Sequence, residues 1–171
     1  MLGLKFPEVR LLEHSSAWAE AYANERDRIH GALRHRVLNI EHIGSTAIAG
    51  ICAKPIIDIA IAVPDLSLAD EFSPDMANIG YEDAGDGGLP GQRIFGRGLR
   101  LRTHLVHVVT AGGRDWQNYL TFREALRTDD ELARAYDQLK RSLAAEFPND
   151  RRSYTSAKGK FVERVLARIA T

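Results

Sequence analysis

Eight residues, Ile56 to Val63, limit the fold more tightly than any other part of the chain. Side chains alternate between the two faces of a strand, so Ile57, Ile59, Ile61 and Val63 share one face that is large and β-branched throughout. That face belongs in a core. Ile56, Asp58, Ala60 and Ala62 share the other, which is small and carries a single charge. A run that tolerates burial on both sides and is closed by Pro64 reads as a central strand, with strands to left and right and layers above and below. The small face has two readings. Its alanines leave volume beside a lone carboxylate for a ligand, or they receive a closely packed helix, with Asp58 capping that helix or pairing with an arginine.

The rest of the chain offers those strands and layers. Residues 37 to 43 are a second short β-branched run, ending at Gly44. Residues 92 to 109 are again extended, with Leu99, Leu101, Thr103, Leu105, His107 and Val109 on one face and Arg100, Arg102, His104, Val106 and Val108 on the other. Trp18, Tyr22, Ile29 and Leu33 recur near helical spacing and predict a helix over about residues 16 to 34. Three more are expected over about 115 to 126, 129 to 147 and 154 to 169. The middle one opens on the capping box Thr128-Asp129-Asp130-Glu131 and carries the apolar stripe Leu132, Tyr136, Leu139, Leu143 and Phe147. Residues 66 to 78 read as a short helix interrupted at Ser73-Pro74, and 83 to 91 as a glycine-rich loop or hairpin tip. With no internal repeat and no dividing linker, the 171 residues form one α/β (α+β) domain spanning 1–171, a central sheet with helices at both ends.

Charge and cysteine content narrow the function classes. Lys+Arg and Asp+Glu number 23 each, so no global field draws the chain to nucleic acid or to an anionic membrane, and any polyanion must be bound locally. Neither a nucleic-acid nor a membrane partner is expected. The single Cys52 excludes an internal disulfide framework, and Met1 to Arg10 carries no signal-peptide pattern, so a reducing cytoplasm is the expected location.

The candidate chemistry begins where the first strand ends. In Glu41-His42-Ile43-Gly44-Ser45-Thr46, Gly44 lets the backbone approach a phosphate, Ser45 and Thr46 supply hydroxyl and amide donors, and Asp58 offers a divalent cation a hard carboxylate oxygen. A P-loop is excluded, because five residues separate Gly44 from Gly50 and Ile51-Cys52 follows where lysine and a hydroxyl residue would stand. Arg93, Arg97, Arg100 and Arg102 lie in an acid-free stretch from Gly87 to Arg114. Arg93 and Arg97, beside the glycine loop, are candidates for phosphate contact, whereas Arg100 and Arg102 fit equally a solvated edge strand. His104 and His107 are three apart and face opposite sides of a strand, so at most one serves a site. His107 is either a hydrogen-bonded core histidine or a ligand or base, and Lys158, on the apolar stripe of the last helix, either snorkels or reaches a cleft to bind phosphate. Cys52, Trp116 and Tyr154 read as structural.

Taken in order, Glu41 to Ala47, Ala53-Lys54-Pro55-Ile56-Ile57-Asp58-Ile59, Gly91 to Phe95, Thr103-His104 with His107, Phe122 to Arg127, Tyr136 with Leu139-Lys140, and Tyr154 with Lys158 and Phe161 resemble the GrpB family, small bacterial proteins of the nucleotidyltransferase superfamily. The resemblance implies a nucleotidyltransferase-like fold, a central mixed β-sheet flanked by helices with a C-terminal helical segment. It implies a bound nucleotide or other phosphorylated small molecule, with Mg²⁺ as cofactor for nucleotidyl transfer. Gly44, Ser45, Thr46, Lys54, Arg93 and Lys158 would bind phosphate, Asp58 would hold the metal, and Asp58, Glu41 and His107 would form the catalytic set. Ala60 stands where the superfamily pattern has a second acid, and two-metal transfer needs carboxylates for both ions. The alternative is therefore a non-catalytic nucleotide- or phosphate-binding module, a sensor or partner-docking domain on a degenerate nucleotidyltransferase fold.

Overall fold

The computed structural model describes residues 2 to 170. Five strands, β1 (Asn39–Ile43), β2 (Ile57–Val63), β3 (Tyr81–Asp83), β4 (Arg93–Arg97) and β5 (His104–Thr110), form one sheet in the order β1-β2-β5-β4-β3. β2 lies inside it, antiparallel to β1 and parallel to β5, while β4 runs antiparallel to both β5 and β3. The sheet is mixed, as expected.

Five α-helices cover it: α1 (Ala17–Leu33), α2 (Ser73–Asn78), α3 (Arg114–Thr128), α4 (Asp130–Glu146) and α5 (Arg151–Ile169). The β-branched face of β2 packs with Val106, Val108 and Phe95 against Trp18, Ile29 and Leu33 of α1 and Met76 of α2. Each of these large side chains, fully buried, contributes roughly 1.5–3 kcal/mol of apolar transfer, so this cluster dominates the fold. On the other face, Ala60 and Ala62 meet Trp116 of α3, together with Ile43 and Val109. The helix reading of the small face therefore holds at positions 60 and 62, and any opening on this face lies nearer Asp58. Farther out, Ile48 and Ile51 pack with Leu126, Ala133 and Tyr136, and Val9 with Leu143 and Tyr154, which ties α4 and α5 to the same side. Among the described residues no helix is long and apolar enough to cross a membrane.

Three expectations are corrected. Residues 92 to 109 are not one strand. The chain reverses between β4 and β5 at Gly98, whose φ is +91° and where a Cβ would lie 2.1 Å from the Leu101 carbonyl oxygen. Leu99, expected on one strand face with Leu101 and Leu105, sits on that turn and is 83% exposed. The cap of α4 is Asp129, whose carboxylate accepts from Leu132 N at 2.9 Å, while Thr128 bonds back to Glu124 O. Finally, α5 begins at Arg151, three residues before Tyr154, because Asp150 caps it by accepting from Ser153 N.

Candidate functional site

The strand register brings the Gly-Ser turn and the strand acid together. Ile43, Asp58 and Leu105 lie opposite one another across β1, β2 and β5, and Glu41, Ala60 and His107 form the next row. Gly44 follows Ile43 directly and turns with φ +70°. A Cβ on it would stand 2.5 Å from Asp58 Oδ2, so only glycine lets the turn settle on the carboxylate. Gly44 is exposed and Ser45 and Asp58 half-buried, so solvent reaches this contact. Asp58 has no hydrogen-bond or ion-pair partner among the described residues.

Two lysines converge on Asp58 from different elements. Lys54 stands just before β2, with Nζ 5.3 Å from the centre of the Tyr154 ring. Lys158 lies one turn further along α5, where residues four apart share a helix face. Burial pushes the Lys54 ammonium down to about 7, the Lys158 ammonium and the Arg151 guanidinium push the same way, and Asp58 partly opposes them. Lys158 is held above the usual lysine value, first by Tyr136 and further by Asp58, against the cost of burial. Neither lysine is ion-paired to a carboxylate among the described residues. The stem of Lys158 does more than snorkel: its charge is felt at Lys54, Lys140 and His107.

His107 closes the third side. Its Nδ1 lies 3.1 Å from Gln92 Oε1 and 3.1 Å from the Tyr119 hydroxyl, which itself donates to Gln92 Oε1 at 2.8 Å. Burial lowers its pKa, with Asp58 opposing, so the ring is neutral. Nε2 has no partner among the described residues and is the atom left to accept a proton or meet a ligand.

The other expected residues stand elsewhere or are already engaged. Glu41 shares the sheet face of His107, but Arg123 donates to its carboxylate and to His42 O, both at 2.8 Å. Thr46 is buried and its hydroxyl lies 2.9 Å from His42 Nε2, so what it offers outward is restricted. His42 stacks on Tyr22 and is lowered to about 4 by burial, with Arg127 and Arg123 adding. Arg93 is not part of the group: it pairs across from Val108 on the opposite sheet face and binds Asp83 and Asp70. Arg97 lies on that face too, where it meets the buried Glu25 at 2.6 Å.

Two basic residues that the sequence did not single out for a site lie at its edge. Arg102, for which phosphate contact and a solvated edge strand are equal readings of the sequence, folds over Gly96, where a Cβ would lie 1.8 Å from its Nη1. Gly96 is in the row of Asp58 and Leu105, so the guanidinium lies over the same sheet face. Arg151, lowered by burial and then by Arg102 with Glu8 opposing, has its charge anchored on the Lys5 and Glu8 carbonyls. The usable signal was the missing acid in residues 87 to 114. What concealed Arg151 was the start of α5, which only the Asp150 cap reveals.

A metal test follows from these contacts. Among the described residues no group of three or more His, Cys, Asp or Glu side chains is placed to hold a metal ion. Asp58 is one carboxylate, its strand neighbour is Ala60, and Glu41 is committed to Arg123. This donor set does not fit a two-ion centre. A single Mg²⁺ would have to draw most of its ligands from water and from the phosphate itself.

Comparison with known proteins agrees with the geometry. The family model described as GrpB protein matches residues 8–168. The chain is 34% identical to the glutamate-rich protein GrpB of Alkalihalophilus pseudofirmus, over 97% of this chain and 98% of that one. It is 33% identical to the UPF0157 protein YqkA of Bacillus subtilis over 91% of its own length but only 46% of the longer protein. Among solved structures, the conserved protein GrpB from Enterococcus faecalis superposes with a TM-score of 0.85 at 31% identity, covering 95% of this chain and 100% of that one. Cid1 in complex with its short product ApU superposes with a TM-score of 0.55 at 12% identity, over 78% and 42% of the two chains. The fold is nucleotidyltransferase-like.

Proposed function

Because this chain belongs to the GrpB family, we propose that it binds a nucleotide or another phosphorylated small molecule in the cleft between the N-terminal end of β2 and α5. The observation that carries this is the set of charges facing the cleft. Lys54, Lys158 and Asp58 are half-buried there, and none is ion-paired, in a protein whose other half-buried charges are mostly matched. Partly desolvated cations without a counterion favour an anion that brings its own charge. Gly44 admits that anion to within reach of the backbone amides of Ser45 and Thr46, and Lys158 supplies the point charge. His107 Nε2 stands as the acceptor for a hydroxyl or base group of the ligand.

Ala60 and the Arg123-held Glu41 favour the binding-module reading over nucleotidyl transfer, and no step is assigned to Mg²⁺. The test is thermal unfolding with ATP, GTP, CTP, UTP, their monophosphates and inorganic phosphate, each with and without Mg²⁺. A true ligand at a hundredfold its Kd stabilises by about 2.7 kcal/mol, a rise of roughly 5–10 °C for a chain of this size. Lys158→Met abolishes that rise. If no phosphorylated compound shifts the wild-type transition, or if Lys158→Met shifts as the wild type does, the proposal is wrong. A Mg²⁺-independent shift with the nucleotide recovered intact identifies a binding module, and release of pyrophosphate identifies a transferase.

A further inference from the structure

Lys54 stands apart from the other cations. Its Nζ has a Tyr154 ring below it and no hydrogen-bond acceptor or carboxylate partner among the described residues. It is not sealed in, because Lys54 is only half-buried. It is also flanked by cations. Arg151 and Lys158 sit three residues before and four after Tyr154 on the same stripe of α5, so they bracket the ring over which Nζ lies. An amine that is reachable, partly desolvated and flanked by positive charge resists protonation, and with its pKa pushed down to about 7 a large share of it is the free amine at neutral pH.

We propose that Lys54 is a site of reversible carbamylation by carbon dioxide. The Nζ lone pair attacks the carbon of CO₂ and forms a C–N bond, one C=O π pair moves onto oxygen, and the proton leaving Nζ passes to water. CO₂ is small and neutral and enters without displacing charge. The product replaces the cation by a carboxylate, which turns the repulsion from Lys158 and Arg151 into attraction, while the Asp58 carboxylate, which favours the ammonium, opposes the adduct. Burial lowers the proton affinity of the amine most, and Lys158 and Arg151, which add to that effect, also attract the adduct. Lysines on the surface, such as Lys5 and Lys160, are exposed and lack this arrangement. The inference stands independently of whether the cleft binds a nucleotide.

The test uses the full chain equilibrated with ¹³C-labelled bicarbonate and CO₂ at neutral pH, followed by alkyl trapping of carbamates and peptide mass spectrometry. The expected result is a labelled adduct on the peptide containing Lys54, in excess over Lys5 and Lys160 and lost in Lys54→Arg. Lys158→Gln and Arg151→Gln, checked for folding by circular dichroism, each reduce occupancy several-fold, since each removes a charge that both deprotonates the amine and binds the product. The proposal is overturned if wild-type Lys54 is labelled no more than the exposed lysines. It is equally overturned if the folded Lys158→Gln and Arg151→Gln proteins carry the adduct at wild-type occupancy.

Discussion

At the scale of single residues, the tightest coupling in the molecule is between Gly44 and Asp58. A methyl group at 44 collides with the Asp58 carboxylate and must also adopt a φ of +70°. Gly44→Ala is expected to cost about 2 kcal/mol in denaturant titration, the sum of a steric and a backbone contribution. In an Asp58→Ala background the steric part disappears, so the same substitution costs about 1 kcal/mol, and the double-mutant cycle reads the difference. Cost equal in both backgrounds means that the turn does not rest on the acid. His42 gives a second residue-scale prediction. Its folded pKa of about 4 lies below the ordinary value near 6.5, so between those pH values the unfolded chain binds more protons and stability falls as pH falls. Going from pH 6.5 to 5 removes roughly 2 kcal/mol on this account. His42→Gln, which cannot titrate, flattens that part of the profile measured by urea unfolding at several pH values.

At the scale of elements, the helix starts decide where the cations stand. Asp129 and Asp150 each cap a helix by accepting from an amide three residues on. Asp129→Ala is expected to lower stability by about 1 kcal/mol, and Thr128→Ala, whose hydroxyl only bonds back to Glu124 O, by clearly less; equal losses in thermal unfolding would contradict the assignment. These elements also mark what could be read in advance. The alternation Ile57, Ile59, Ile61, Val63 fixed β2, its register faces and its central place, because burial on two sides leaves a strong period of two. The β4–β5 hairpin was not legible, since the alternation of Arg100, Leu101 and Arg102 runs on through the turn and Gly98 reads like any other glycine. The site was half legible. Gly44, Asp58, Lys54 and Lys158 carry local signals, a turn, a lone acid and basic residues near apolar runs, whereas Gln92, Tyr119 and Arg102 reach it by contacts 12 to 27 residues apart or by folding over a neighbouring strand.

At the scale of the whole molecule, the sheet separates two electrostatic populations. On the α1 side the charges are matched: Glu25 with Arg28 and Arg97, Arg36 with Asp75, Arg93 with Asp83 and Asp70. On the α5 side Arg123 is matched with Glu41 and Arg141 with Asp137 and Glu13, but Lys54, Lys158 and Arg102 have no carboxylate partner among the described residues, and the zero net charge of the chain conceals this asymmetry. Arg93→Ala should therefore leave the response to phosphate compounds intact while costing at most about 1 kcal/mol, as half-exposed ion pairs do. Loss of the ligand response in Arg93→Ala, seen in the same thermal assay, would place binding on the other face. The order in which the chain emerges during synthesis adds a temporal dimension. β2 pairs in parallel with β5, whose residues follow it by more than a hairpin, and the cleft then waits for a helix that begins at Arg151. Until β5 emerges the nascent polypeptide holds an apolar strand with one unpaired edge, open to misassociation. On the proposed reading, a polypeptide truncated before α5 keeps the turn and the acid but loses Lys158, and with it the response to phosphate compounds.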